Sequence, residues 1–183
     1  MCGISGYFLK NNTSLKLSPE INKSLELISH RGPDDKGIYI AEEKKVGLAH
    51  SRLSIIDISK NGHQPMHSSD NRLTIIFNGE IYNYKELRRF LNKNGYKKWD
   101  GDSDTEVILK MFHYSINHGL KLEKVLSLLK GIFAIALWDS LEKELFLIRD
   151  ALGVKPLYFS EMKIGVSFAS EIKAILPLMD KCS

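Results

Sequence analysis

The second residue of the chain, Cys2, can become a nucleophile once Met1 is removed. The chain then begins with a thiol and a free α-amine on one residue, and the ordinary pKa of that amine, about 7.7–8.0, leaves part of it neutral at physiological pH. A neutral amine can take the thiol proton, directly or through a water molecule, and release a thiolate. The plain alternative is an incidental small residue at a frayed terminus, but residues 3–8 are typical of a strand.

The dipeptide Asn78-Gly79 has the donors that a thiolate attack on a carbonyl requires. It follows the strongly apolar segment 73–77, which predicts a strand. An Asn side-chain amide and a Gly backbone N–H can stabilise a developing oxyanion, and glycine also lets a substrate approach the backbone closely. Taken by itself, the dipeptide is more typical of a hairpin turn, so that interpretation stays open at this point.

Two charged residues could hold the ends of an amino acid. Arg52 follows the predicted strand 46–50, and its planar guanidinium suits a carboxylate. Asp104, in the first turn of a predicted helix, could hold an ammonium with help from Glu80. The alternatives are a solvated surface arginine, a carboxylate placed to favour the helix dipole, and an exposed glutamate.

Metal and nucleotide sites are not expected. The acidic run 100–104 begins like a calcium loop, but Thr105 stands at its glycine position and Met111 at its twelfth position. His63 and His67 lie in a loop with Pro65, which makes a weak metal site. The sequence also lacks a phosphate-binding P-loop pattern.

Composition places the chain among ordinary globular proteins of one domain. It has 183 residues, of which 43% are apolar and 26% charged, and its net charge is +4. The basic residues are mixed with acidic ones, which disfavours a nucleic-acid partner. No apolar run reaches the length of a membrane span, and the first residues do not resemble a signal peptide, so we expect a cytoplasmic protein. Two cysteines make no disulfide framework.

The predicted elements are grouped rather than strictly alternating. This order favours an α+β fold with largely antiparallel sheets. Capping signals predict helix starts at Ser18, Asn83 and Ser103, and a last helix over 170–176. A long polar loop is expected over 51–72. The predicted strands cover residues 37–41, 46–50, 73–77, 132–138, 144–149, 157–159 and 166–169.

These segments together resemble the class II glutamine amidotransferase domain, and most closely the glutaminase domain of glutamine-hydrolysing asparagine synthetase. The similarity extends from Cys2 to about Leu176, and its strength lies in the number and order of the motifs. The matching segments are MCGISG (1–6), RGPD (31–34), HSRLSIID (50–57), GHQPM (62–66), FNGEIYN (77–83), SDTE (103–106), GIFA (131–134), RD (149–150), GVKPLY (153–158) and FASE (168–171).

The resemblance implies a fold and a set of roles. The fold would be the four-layer αββα N-terminal nucleophile hydrolase fold, with two stacked antiparallel sheets between helical layers. Cys2 would be the nucleophile, and Asn78 and Gly79 would form the oxyanion hole. The substrate would be L-glutamine. Arg52 would bind its α-carboxylate, and Asp104, with Glu80, would hold its α-ammonium. The pocket would be lined by Leu53, Ser54, Ile55 and Ile56, besides Asn78 and Gly79.

The resemblance also implies a partner. Relatives carry a second, ATP-dependent synthetase domain with a pyrophosphate-binding loop, and nothing in residues 1–183 resembles it. We therefore expect one glutaminase domain without a cofactor of its own, ATP and Mg²⁺ being needed only in a synthetase domain in cis or in trans, and homo-oligomers are possible. The alternatives are an ammonia donor for another acceptor such as a sugar, and a non-catalytic regulatory domain, which retention of Met1 would favour.

Overall fold

The fold contains nine strands and five helices within the residues described by a computed structural model, which are 1–10, 17–41, 45–54 and 59–179. The helices are α1 (Ser18–Leu27), α2 (Tyr84–Lys93), α3 (Asp104–Asn117), α4 (Leu122–Leu126) and α5 (Ile172–Met179). The strands are β1 (Gly3–Leu9), β2 (Asp35–Ile40), β3 (Val46–Arg52), β4 (Met66–His67), β5 (Leu73–Ile81), β6 (Gly131–Asp139), β7 (Glu144–Arg149), β8 (Tyr158–Met162) and β9 (Gly165–Ala169).

The strands form two antiparallel sheets. The first has the order β2-β3-β1-β9-β8 and the second the order β4-β5-β6-β7. The strand that follows Cys2 is therefore the central strand of the first sheet, paired with β3 on one side and β9 on the other. Such a position gives the start of the chain more backbone hydrogen bonds than an ordinary terminus has.

Three apolar clusters separate four layers. One lies between the sheets and includes Ile4, Leu48, Ile76 and Phe168. The second packs α1 and α5 against the outer face of the first sheet, and the third packs α2 and α3 against the outer face of the second. The αββα architecture with two stacked antiparallel sheets is confirmed, and each sheet buries both faces because helices cover the side that its partner sheet does not.

The interpretation of Asn78-Gly79 as a hairpin turn is wrong. Strand β5 continues through both residues to Ile81, with Asn78 opposite Ala134 and Gly79 opposite Phe133 on β6. A Cβ at position 79 would lie 2.2 Å from the Ile132 carbonyl oxygen, so glycine is required there by the approach of β6 and not by a turn. Likewise β3 runs to Arg52, two residues further than predicted, and so shortens the expected loop 51–72.

The helix starts follow the predicted pattern only in part. Ser103 accepts a hydrogen bond from the Glu106 N–H, as its capping motif predicts. Ser18 is already helical and does not cap α1 with its side chain. The Asn83 side chain instead forms hydrogen bonds with the backbone of the loop before β6. The last helix occupies Ile172–Met179, because Ser170 bonds the backbone of Ile4.

The loop between β7 and β8 is built around the buried carboxylate of Asp150. This carboxylate accepts hydrogen bonds from the backbone N–H groups of Phe133 at 3.2 Å, Val154 at 2.9 Å and Lys155 at 3.0 Å. Burial acts to raise the pKa of Asp150, but the backbone hydrogen bonds outweigh it and hold the pKa below its usual value. The charged carboxylate therefore ties the loop to β6, the strand that pairs with Gly79.

We expect Asp150→Asn to destabilise the fold by about 1–3 kcal/mol, because an amide cannot accept all three bonds and brings an unpaired donor. Urea unfolding measures this change. Since the pKa of Asp150 is depressed in the folded state, the advantage of the wild-type chain is complete at neutral pH and shrinks as the pH falls below about 4. The control is Asp102→Asn, at a carboxylate that is 86% exposed. Equal stability of the two variants would contradict the assignment.

Candidate active site

The sulfur of Cys2 lies against the backbone at the end of β3. Its Sγ accepts a hydrogen bond from the Leu53 N–H at 3.4 Å and donates one to the Leu53 carbonyl at 3.6 Å. Leu53 directly follows β3, so the central pairing of β1 with β3 sets this contact. Main-chain groups thus hold the sulfur in place, independently of the identity of the Leu53 side chain.

A second set of contacts fixes the backbone of Cys2. Arg31 donates from Nε to the Cys2 carbonyl at 3.0 Å and from an Nη to Glu171 Oε1 at 3.0 Å. Burial acts to raise the pKa of Glu171, but hydrogen bonds from Arg31, Lys173 and His30 outweigh it and hold the pKa at about 2. Glu171 is thus a permanent anion that orients Arg31 and, through it, the first residues of the chain.

Asn78 presents a buried side-chain hydrogen-bond donor. Asn78 is 1% exposed, and its Nδ2 makes no hydrogen bond within the part of the chain that the structure describes. Its side chain lies on the same face of β5 as Ile76, which belongs to the cluster between the sheets, so it points toward the sheet that carries Cys2. A buried donor left without an acceptor is costly, and a ligand oxygen would relieve that cost.

The backbone N–H of Gly79 lies at the edge of β5 that faces away from β6. The N–H of Phe77 donates to Gln64 Oε1 at 2.7 Å. The N–H of Ile81 donates to Asp104 Oδ2 at 3.0 Å. Both groups lie at the edge of β5 away from β6, and alternate residues of an antiparallel strand direct their N–H groups to the same edge. Gly79 is the residue between them in this alternation, so its N–H lies at that edge beside the cavity.

Arg52 is buried at the end of β3 and has a prepared position. It is 7% exposed, and one of its Nη atoms donates to the Ser59 carbonyl at 2.9 Å. A Cβ at Gly62, in the short helical turn at 60–62, would lie 2.0 Å from an Nη of Arg52, so a larger residue there would displace the guanidinium. The guanidinium is directed to one place by this packing, as recognition of a carboxylate requires.

Asp104 holds the opposite side of the site. Its carboxylate accepts hydrogen bonds from the N–H groups of Ile81 and Thr105, at 3.0 and 2.9 Å. Burial, which is the largest influence, and the nearby charge of Glu80 raise the pKa of Asp104 to about 6, although the backbone bonds act against this. A buried carboxylate with a raised pKa favours a cationic ligand, because such a ligand would restore the ionised form.

One cavity of about 120 Å³ brings most of the predicted site residues together. Ile55 and Ile56 lie outside the described residues. Glu80 is exposed. The predicted residues that line the cavity are Cys2, Arg52, Leu53, Ser54, Asn78, Gly79, Glu80 and Asp104.

Several residues that position this site were not predicted from the sequence. Gln64 is buried and joins β5 to α3, because its Oε1 accepts from Phe77 and its Nε2 donates to Thr105 Oγ1 at 3.1 Å. Arg31 and Glu171 were noted only as parts of matching segments. Their inclusion in those segments was the available signal, but neither residue is near Cys2 or β5 in the sequence.

The described residues contain no group of three or more His, Cys, Asp or Glu side chains that could hold a metal ion, and no helix long and apolar enough to cross a membrane. Whether the domain works without a metal or cofactor, and where in the cell it resides, stay predictions.

Two facing antiparallel sheets between helical layers, with a cysteine at the start of the central strand, define an N-terminal nucleophile hydrolase fold. A solved structure with this fold, the glutamine phosphoribosylpyrophosphate amidotransferase from B. subtilis, superposes with a TM-score of 0.74 at 24% identity, covering 94% of this chain and 42% of that chain. The family model of the glutamine amidotransferase domain matches residues 1–183, and the chain belongs to this family.

Curated relatives extend the similarity. Asparagine synthetase [glutamine-hydrolyzing] 1 of Bacillus subtilis is 41% identical over 179 residues, which are 96% of this chain and 27% of that protein. Amidase chry2 of Gibberella zeae is 35% identical over 186 residues, 96% of this chain and 26% of that protein. The chain therefore spans about a quarter of the length of these relatives.

The Cys2 thiol is expected to be a weak acid while Met1 is attached. Burial raises its pKa, outweighing the opposite effects of the Leu53 backbone, the chain amino terminus and Arg52. In a Cys182→Ser chain that retains Met1, the rate of iodoacetamide alkylation should therefore inflect above pH 8.5, about the pKa of an ordinary thiol. Release of Met1 should move the inflection down, because an ammonium then adjoins the thiol.

The matched control for this prediction is the same chain in concentrated urea, where burial is lost. Intact-mass spectrometry follows the alkylation and distinguishes chains with and without Met1. An inflection in the folded, Met1-bearing chain at or below that of the unfolded chain would contradict the described environment of the sulfur.

Proposed function

We propose that this domain hydrolyses the side-chain amide of L-glutamine and passes the ammonia to an acceptor domain of the asparagine synthetase type. The observation that carries the proposal is the buried Nδ2 of Asn78, which has no acceptor among the described residues and lies in the cavity that Cys2 lines. A nucleophile and a preformed oxyanion donor at one site are what acyl transfer requires. The proposed acceptor rests on the similarity to asparagine synthetases over 96% of this chain.

The geometry suits both ends of glutamine. The buried guanidinium of Arg52 would bind the α-carboxylate. The Asp104 carboxylate, assisted by Glu80, would bind the α-ammonium, which supports the ionised form that burial otherwise disfavours. Leu53 and Ser54 would line the pocket. Binding of both charged ends would then direct the side-chain amide toward Cys2 and Asn78.

The reaction would proceed in two steps after Met1 is released. The free α-amine of Cys2 takes the thiol proton, the sulfur bonds to the amide carbon, and Asn78 Nδ2 and the Gly79 N–H donate to the oxyanion. The carbon–nitrogen bond then breaks as the ammonium of Cys2 gives its proton to the leaving nitrogen, leaving a γ-glutamyl thioester and ammonia. Water, deprotonated by the same amine, attacks the thioester, and the sulfur leaves as glutamate forms.

As proposed, this half-reaction uses only groups of this chain. ATP and Mg²⁺ would serve the acceptor domain, which is joined in cis or bound in trans. The partners would be L-glutamine and that domain, with no nucleic acid or membrane.

The decisive experiment combines turnover with labelling of Cys2. The chain lacking Met1 should release glutamate from glutamine and gain one adduct at Cys2 from a diazoketone analogue of glutamine, whereas Cys2→Ala should do neither. Asn78→Ala should keep its fold and lose about 10²–10³-fold in kcat, because one oxyanion donor is removed. The control is Asn92→Ala on α2, which should retain wild-type turnover. Equal turnover of chains with and without Met1 would refute the mechanism.

The KM for glutamine is expected to depend on the ionisation of Asp104. Since its pKa in the folded chain is about 6, protonation below that pH removes the partner of the substrate ammonium, and KM should rise as the pH falls. Asp104→Asn should raise KM and flatten this dependence. Glu80→Gln should shift the inflection to lower pH, because a repelling charge is removed. An Asp104→Asn profile that keeps the wild-type inflection would assign it to another group.

A further inference from the structure

The two halves of the site belong to different sheets. The sulfur of Cys2 is held by Leu53 at the end of β3, in the first sheet. The donors Asn78 and Gly79 lie on β5, in the second sheet. Catalysis as proposed therefore requires the sheets to keep one separation and one lateral position at this end of the sandwich, within a fraction of an ångström.

Apolar packing between the sheets does not set that position alone. The cluster there includes Leu48, Ala134, Ala136 and Phe168, all of which are buried. The hydrophobic effect is non-directional, so such a cluster stabilises contact of the sheets more than any single register of one on the other. A hydrogen bond between the sheets has a preferred length and direction, and would restrict sliding.

His50 makes such a bond. It is fully buried on β3, on the same face as Val46 and Leu48, and its Nε2 lies 3.0 Å from the carbonyl oxygen of Phe77 on β5. A carbonyl can only accept, so the ring donates from Nε2. Burial, the largest influence, lowers the pKa of His50 to about 4, so the ring is neutral at physiological pH.

The position of this bond links both halves of the site. The Phe77 carbonyl belongs to the peptide unit that joins Phe77 to Asn78, and the Phe77 N–H is held separately by Gln64. At the other end, His50 lies three residues before Leu53, on the strand that holds the Cys2 sulfur. One imidazole therefore connects the strand of the sulfur with the peptide unit immediately before the oxyanion donor.

We propose that His50 is a positioning residue of the glutaminase reaction, and that its Nε2–H···O=C bond to Phe77 sets the position of Asn78 and Gly79 relative to the Cys2 sulfur. This inference rests on the proposed function for the reaction itself. Nothing in it requires His50 to touch substrate or to exchange a proton, since the ring is buried and its donor is already bonded.

The test compares His50→Met with His50→Gln in the chain lacking Met1. Methionine fills a similar volume but cannot donate, whereas the Gln amide reaches about as far as the imidazole Nε2 and can restore the bond. We expect His50→Met to lose about 10–100-fold in kcat with a much smaller change in KM, and His50→Gln to recover most of kcat. Leu48→Met, two residues away on the same face, controls for altered packing and should keep kcat.

Two further measurements separate positioning from a general loss of structure. Iodoacetamide reacts at sulfur without needing an oxyanion donor, so the alkylation rate of Cys2 should be the same in His50→Met and wild type. The backbone amide NMR signals of Asn78 and Gly79 should shift in His50→Met and return in His50→Gln. If His50→Met does not fold, His50→Asn replaces it, because its amide is too short to reach Phe77.

The outcomes distinguish this inference from the proposed function. A wild-type chain that hydrolyses no glutamine refutes the proposed function, and unmoved Asn78 and Gly79 signals in His50→Met would then refute the positioning contact as well. A folded His50→Met chain with wild-type kcat overturns only the role of His50. Equal losses in His50→Met and His50→Gln, or equal losses in Leu48→Met, also overturn it, since those results assign the effect to packing.

Discussion

The separation of the two sheets is the constraint on which the candidate site depends. A thiol at the start of one sheet and an amide on the other are useful together only at a fixed distance, and neither sheet alone contains the site. The apolar cluster between the sheets brings them into contact, while polar groups at one end determine where they meet. His50 bonds Phe77 across the gap, and Gln64 and Asp104 take up N–H groups along the edge of β5.

The free edge of β5 is the second feature that makes a site possible. Strand β4 pairs only with Thr74 and Ile75 of β5, so it leaves the backbone N–H and C=O groups along the rest of that edge without a strand partner. Side chains satisfy two of the N–H groups: Gln64 accepts from Phe77, and Asp104 accepts from Ile81. The stretch between these two contacts contains Gly79. In a longer ladder, a residue of the neighbouring strand would accept a hydrogen bond from the Gly79 N–H. Here a ligand oxygen can take that position.

Much of this arrangement could be predicted from the sequence. The parts that could not be predicted have one physical cause, which is contact between residues far apart in the chain. Apolar runs predicted the long strands, because burial on both faces dictates their composition. Residue type suggested the chemistry of Cys2 and Arg52, but only the resemblance to a known family favoured it over an incidental cysteine and a solvated arginine. Asn78-Gly79 was ambiguous because its local signal is that of a turn, and only pairing with β6, more than 50 residues later, makes it strand. The support that Arg31 receives from Glu171 spans 140 residues and has no local signature.

The cavity contains polar groups whose hydrogen-bonding and charge requirements the described residues do not meet. Asn78 Nδ2 lacks an acceptor among the described residues, burial holds the pKa of Asp104 near 6, and burial also raises the pKa of the Cys2 thiol. As proposed, each of these costs would be reduced by a different part of one glutamine molecule: the amide oxygen at Asn78, the α-ammonium at Asp104, and the amide carbon that bonds the sulfur of Cys2. A ligand that lacks the carbonyl oxygen or the ammonium would leave a buried polar group without its partner, which disfavours binding far more strongly than a lost apolar contact does. Under the proposed function, this burial would favour an amino acid whose side chain ends in a carbonyl group.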